Sequence, residues 1–239
     1  MSGPVLCVDC GNTRLKWGLR QDGSWLAQGA LPIAEAGELP AALPMRFVRV
    51  LACNVAGERV GAQVEAAAAG AEVVWLRAAA AQCGVTNGYD NPQQLGADRW
   101  AALIGARGLH RGASLVVNSG TATTVDVLDE AGVFQGGLIL PGLELMVAAL
   151  AGNTAGLPLA RGAFRDLPRN TDDAIASGAR QATLGAIERM FAPLSDCADA
   201  CCLLSGGAAE ALEPWLRIPR RRVANLVLEG LAVVAEAGA

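Results

Sequence analysis

The chain has 239 residues, 52% of them hydrophobic and 18% charged, enough for one large or two ordinary domains around a well-buried core. A net charge of −4 argues against a nucleic-acid partner, and the one basic cluster, Arg220-Arg221-Arg222, reads as a solvated helix start. Glu72 and Arg77 break the Ala-rich stretch from Ala66 to Ala81, and Met1 to Asp9 lacks a basic leader, so no membrane partner and a cytoplasmic location are expected.

The first half opens with short apolar runs at Val5–Val8, Leu15–Leu19 and Trp25–Leu31, separated by Gly or polar turns, which predict an antiparallel meander. A helix is expected over Ala34–Leu43, a strand over Phe47–Cys53, a helix over Gly57–Ala69 and a strand over Val73–Leu76. Leu95, Trp100, Leu103 and Ile104 recur at helical spacing and predict a long helix from Leu95 to Leu109.

Near residue 113 the pattern restarts. Strands are expected at Ser114–Val117, Thr123–Leu128 and Val133–Leu140, then helices at Pro141–Leu150 and Asp172–Phe191. A strand at Cys201–Leu204 and a closing helix at Val223–Ala237 complete the half. Strand, polar Gly-Thr turn, strand and third strand thus occur twice. We read this as a topological duplication into two α/β domains, 1–112 and 113–239, with a cleft between them.

Neither G-x-x-x-x-G-K-[ST] nor G-x-G-x-x-G occurs, which removes the P-loop and Rossmann readings. Two strand-turn-strand segments remain: Asp9-Cys10-Gly11-Asn12-Thr13-Arg14-Leu15-Lys16 and Asn118-Ser119-Gly120-Thr121-Ala122-Thr123-Thr124-Val125-Asp126. Glycine lets backbone N–H groups approach a polyphosphate, Thr and Asn add neutral donors, and Lys16 or Arg14 adds charge. Asp9 at its strand end suits Mg²⁺ held through water. Ser205-Gly206-Gly207 is read either as an adenosine platform or as a plain turn into a helix.

Seven cysteines lack the spacing of a disulfide framework. Cys7 and Cys10 would point to opposite faces of a strand, which disfavours shared metal ligation. Cys10 has two readings, a thiolate activated by the phosphate turn or a buried inert thiol. His110, the only histidine, has no Ser or Cys motif to complete a hydrolase triad.

These segments resemble those of type III pantothenate kinases. Asp9 to Thr13 resembles the family's D-x-G-N-T phosphate motif, and Tyr89 to Arg99 resembles its Tyr-x-x-P-x-x-L-G-x-D-R segment. The second Gly-Thr turn, Gly136 to Gly142, Arg169-Asn170-Thr171 and Ser205-Gly206-Gly207 resemble further family segments in the same order.

The resemblance implies a duplicated ribonuclease-H-like fold of the actin/hexokinase/Hsp70 superfamily. It also implies phosphoryl transfer from ATP with Mg²⁺ to the primary hydroxyl of pantothenate, the first step toward coenzyme A, and a homodimer. It carries ATP contacts onto Asp9, Cys10, Gly11, Asn12, Thr13, Arg14, Leu15, Lys16 and Thr121. Pantothenate contacts fall on Tyr89, Gly96, Ala97, Asp98, Arg99 and Thr171, with Asp98 as proton acceptor. The family usually has Asp where this chain has Asn118, at a potassium or ammonium site. Asn118 keeps an acceptor oxygen without the charge, so weak monovalent-cation dependence is expected. Without this pattern, Asp98-Arg99 would read as a helix-start carboxylate and a surface arginine. Two rivals stay open: a related phosphotransferase acting on a sugar or acyl phosphate, and a non-catalytic regulator that keeps the fold.

Overall fold

The computed structural model describes residues 3–154, 156–157 and 159–238. Strands β1 (Val5–Cys10), β2 (Arg14–Gln21) and β3 (Ser24–Pro32) form the expected meander. A 3-10 turn over Ile33–Glu38 and the one-turn helix α1 (Leu39–Ala42) replace the helix expected at 34–43. Gly37 is a poor helix former, and Pro40 and Pro44 lack the N–H that a longer helix needs. Next come β4 (Arg49–Asn54), α2 (Glu58–Ala67) and β5 (Glu72–Trp75), then a short ribbon of β6 (Ala81–Gln82) and β7 (Val85–Asn87). Helix α3 runs from Ala97 to Leu109.

The second series is β8 (Ser114–Ser119), β9 (Ala122–Leu128), β10 (Val133–Pro141), α4 (Leu143–Asn153) and α5 (Thr171–Phe191). It continues with β11 (Cys201–Ser205), the short α6 (Ala209–Leu212), β12 (Arg220–Arg222) and α7 (Leu226–Glu236). The first sheet has the order β3-β2-β1-β4-β5, and the second series repeats it as β10-β9-β8-β11-β12. In both, the first two strands are antiparallel and the crossover strands parallel. This is the duplicated ribonuclease-H-like α/β arrangement expected from the sequence.

Arg220 to Arg222 form the edge strand β12 instead of a helix start. Exposed charge on an edge strand discourages pairing with other chains, and Arg222 faces Glu210 and Glu213 at 3.9 and 3.4 Å.

The chain packs as two compact units. One comprises residues 1–111, 132–134 and 225–239, the other 112–131 and 135–224. The sequence division after residue 112 follows chain order, whereas packing groups α7 with the first unit. Helices α3 and α7 touch backbone to backbone, because a Cβ on Gly230 would overlap the Ala101 carbonyl and one on Gly105 would come within 2.7 Å of Gly230 N.

Alternation along β1 sorts its side chains. Leu6, Val8 and Cys10 join Leu15, Val50, Ala52, Val60 and Val64 in the first core. Cys7 and Asp9 take the opposite face, shared by pleat with Leu51 and Cys53 of β4. In the second unit Leu115, Val117, Val125 and Val127 pack against Leu184, Ile187 and Phe191 of α5.

Candidate active site

The first Gly-Asn-Thr turn is built by the β1–β2 hairpin. Gly11 N donates to Arg14 O at 3.1 Å, closing the turn and leaving Asn12, Thr13 and Arg14 exposed. Cys10 and Leu15, at its two ends, point into the core, so only their backbone faces the turn. Cys10 is fully buried, and burial pushes its thiol up to about 12, which favours the inert of its two readings.

Strand register places three side chains in one row: Lys16 on β2, Asp9 on β1 and Cys53 on β4. Lys16 Nζ lies 3.7 Å from Asp9 Oδ2, and the buried Cys53 thiol donates to Asp9 Oδ1 at 3.7 Å. Asp9 is only 5% exposed. Burial therefore dominates its titration and raises it from 3.8 to about 6. Lys16 lowers it, Asp98 raises it, and the Cys53 hydrogen bond lowers it.

Asp98 stands in the first turn of α3. Its Oδ1 accepts from Arg99 N at 2.8 Å, and the positive end of the helix dipole favours a carboxylate in this first turn. Gly96 makes room for it, since a Cβ there would lie 2.7 Å from Asp98 Oδ1. Ala97, on the same turn, lines a cavity of about 490 Å³ with Asn54, Glu58, Trp75 and Arg77.

Arg99 is not the surface arginine of the bare helix reading. It is 5% exposed, and its Nη1 donates to Tyr89 Oη at 2.8 Å. Tyr89 is held by the buried Asn87, whose Oδ1 accepts from Tyr89 N and whose Nδ2 donates to the Ala79 and Pro92 carbonyls.

In the second unit, Asn118 and Ser119 end β8, and Gly120 N donates to Ala122 O at 2.9 Å, leaving Gly120 and Thr121 exposed. Two glycines press on this turn. A Cβ on Gly142 would overlap the Gly120 carbonyl, and one on Gly206, at φ +98°, would overlap Ser119. Gly142 N also donates to Thr121 O at 2.8 Å, and Ala208 N to Ser119 O at 3.0 Å. The Ser205-Gly206-Gly207 segment is therefore packed directly on the Gly-Thr turn. Asn118 lies opposite Thr124 and on the same sheet face as the buried Asp126.

Thr171 opens α5. The Arg-Asn-Thr order has a local cause: Asn170 Oδ1 accepts from Asp173 N at 2.8 Å and caps the helix, presenting Thr171 on its exposed first turn. Thr171 lines an apolar groove of about 810 Å³ with Pro141, Met146, Leu150, Ile175 and Ala179. Residues missed from sequence include Cys53, whose pairing with Asp9 needs the β1–β4 register, and Phe134, which packs on Tyr89.

A sequence profile of the type III pantothenate kinase family matches residues 5–193. A protein of Aromatoleum aromaticum named type III pantothenate kinase is 57% identical over 236 residues, covering 97% of each chain. Among solved structures, a Campylobacter jejuni protein assigned to the Baf family of transcriptional activators aligns with a TM-score of 0.64 at 19% identity, covering 97% of this chain and 98% of its own. A Sinorhizobium meliloti protein assigned as a 2-dehydro-3-deoxygalactonokinase aligns at 0.61 with 15% identity, covering 98% of both chains. These two likenesses are likenesses of fold.

Proposed function

The chain belongs to the type III pantothenate kinase family, and from that premise we propose that it phosphorylates pantothenate with ATP, opening coenzyme A synthesis. The observation that carries the reading is Asp98. In a chain 57% identical to a named pantothenate kinase, this carboxylate stands in the first turn of α3, in the room that Gly96 leaves and one residue before the buried Arg99.

An aliphatic hydroxyl is a poor nucleophile. Asp98 orients it and accepts its proton as the phosphoryl group transfers. The transition state is loose, so positioning and neutralisation of spread charge supply most of the acceleration. Asp9, Cys10, Gly11, Asn12, Thr13, Arg14, Leu15, Lys16 and Thr121 hold ATP, largely through backbone N–H groups, with Lys16 adding charge. Gly96, Ala97, Asp98, Arg99, Tyr89 and Thr171 hold pantothenate.

The donor set fits Mg²⁺ bound mainly through water. Among the described residues there is no cluster of three His, Cys, Asp or Glu side chains that could hold a metal ion. The buried Asp9 carboxylate, with Lys16 3.7 Å away, is the acidic oxygen ligand available to Mg²⁺. Asp9 would hold Mg²⁺ through water, where the ion would supply neutralisation of phosphate charge. Asn118, opposite Thr124, offers a monovalent cation an uncharged oxygen, and weak potassium dependence follows. A rise in activity with potassium over sodium as steep as in an Asp-containing relative would contradict this.

A homodimer fits the second unit. Helix α4 carries the run LELMVAALAGN yet has no buried residue, and its apolar groove with α5 holds Thr171. A second copy covering this face would remove apolar surface from water. Light scattering of the purified chain tests this, and a monomer at micromolar concentration contradicts it. No helix among the described residues is long and apolar enough to cross a membrane.

The test of substrate class is a panel of acceptors with Mg²⁺·ATP, read by mass. Pantothenate gaining one phosphoryl group supports the proposal. A sugar or acyl acceptor reacting while pantothenate does not would favour the related phosphotransferase.

A further inference from the structure

Phe134 lies 35 to 45 positions downstream of the acceptor segment and carries no motif. Strand register brings it there. The start of β10 pairs parallel with β7, Val133 opposite Thr86 and Phe134 opposite Asn87. Asn87 is the residue whose side chain fastens the following turn and receives Tyr89 N. Phe134 therefore arrives beside Tyr89 as a consequence of the strand pairing, and it is fully buried.

Three groups meet at that point. The Tyr89 and Phe134 rings stand 5.3 Å apart between centroids, tilted by 36°. The Arg99 guanidinium carbon is 5.5 Å from the Tyr89 centroid and 5.7 Å from the Phe134 centroid. The separations describe a nearly equilateral triangle, two ring faces cupping one cation, with the Arg99–Tyr89 hydrogen bond along one side. A guanidinium taken out of water loses hydration, and ring faces replace part of it electrostatically. A long arginine side chain also loses rotamer freedom when it is held in one direction. The cup meets both requirements, and it does so one residue from Asp98.

We propose that Phe134 is a positioning residue for acceptor binding, holding Arg99 and Tyr89 in the orientation that receives pantothenate. This rests on the reading of Tyr89 and Arg99 as acceptor residues. Phe134 does not touch reacting atoms and sets no proton-transfer geometry. Its loss is felt as weaker acceptor binding, while the β1–β2 turn that holds ATP is built from other residues.

The experiment compares the full chain with Phe134→Leu and Phe134→Met, which fill the site without a ring, and with Phe134→Tyr, which keeps one. KM for pantothenate is expected to rise about tenfold in the Leu and Met variants, with KM for ATP unchanged. The Tyr variant is expected to stay nearer the parent. Thermal unfolding accompanies each assay, and Met serves if Leu does not fold. Folded Leu or Met variants with pantothenate KM within about twofold of the parent would overturn the inference. So would KM for ATP rising in parallel, the pattern of general loosening. Failure of the parent itself to use pantothenate would instead overturn the proposed function, and the acceptor role of the cup with it.

Discussion

Replacing Asp9 by Asn should make the protein more stable and inactive. Asp9 is buried in the folded chain and titrates near 6 against an ordinary 3.8. The folded state thus prefers the neutral carboxyl. Stability linked to this group is fully present below about pH 3.8 and is lost as pH rises through about 6. The gap between those values, at about 1.4 kcal/mol per pH unit, makes the ionised carboxylate cost about 3 kcal/mol at pH 8. Asn has the same shape without the charge, but it weakens the pairing with Lys16 and Cys53. A net gain of about 1 to 3 kcal/mol is expected. Urea unfolding without nucleotide or Mg²⁺, at pH 8 and near pH 4, reads this directly. The variant midpoint should exceed the parent's at pH 8, and the two should converge in acid. A variant no more stable than the parent at pH 8 would refute the claim that burial strains Asp9.

With Asp9 holding Mg²⁺ as proposed, the same titration predicts an acid limb in kcat/KM near pH 6, where Asp9 loses its charge; a profile flat to pH 5 would contradict it. Gly96→Ala should fold normally, since Gly96 has φ −57°, yet lower kcat about tenfold or more by displacing the Asp98 carboxylate. Steady-state kinetics beside a thermal melt check this, and an unchanged kcat counts against it. Iodoacetamide at pH 8 should leave Cys10 unlabelled in the folded protein, because its thiol is buried and pushed up to about 12. Rapid labelling in a peptide map would revive the thiolate reading.

Much of the fold could be read from the chain because its strands alternate cleanly and its Gly-Thr turns repeat. Asp9 and Asn118 fall at equivalent strand ends, and the repeated sheet order follows. Short, irregular elements were not legible. The β6–β7 ribbon has too few residues to show alternation. Gly37 and Pro40 hide how the 34–43 segment turns, and three arginines do not suggest a strand. The grouping of α7 with α3 depends on Gly105 and Gly230, which carry no local signal of their partner. The candidate site shows in the sequence where one segment supplies it, as in Asp9 to Lys16, and not where strand register brings residues together. Cys53 and Phe134 enter only through strand neighbours, and Arg99 looks like a surface charge until Tyr89 and Phe134 close on it.

The most direct measurement of the central claim is phosphoryl transfer from Mg²⁺·ATP to pantothenate by the parent and by Asp98→Asn, at matched stability. The account predicts turnover by the parent and a fall in kcat of about 10²-fold or more in the variant, with KM for ATP little changed. A variant as fast as the parent would remove Asp98 from the chemistry. No turnover by either, in potassium, ammonium or sodium, would contradict the kinase reading and direct attention to Asn118 and the non-catalytic alternative.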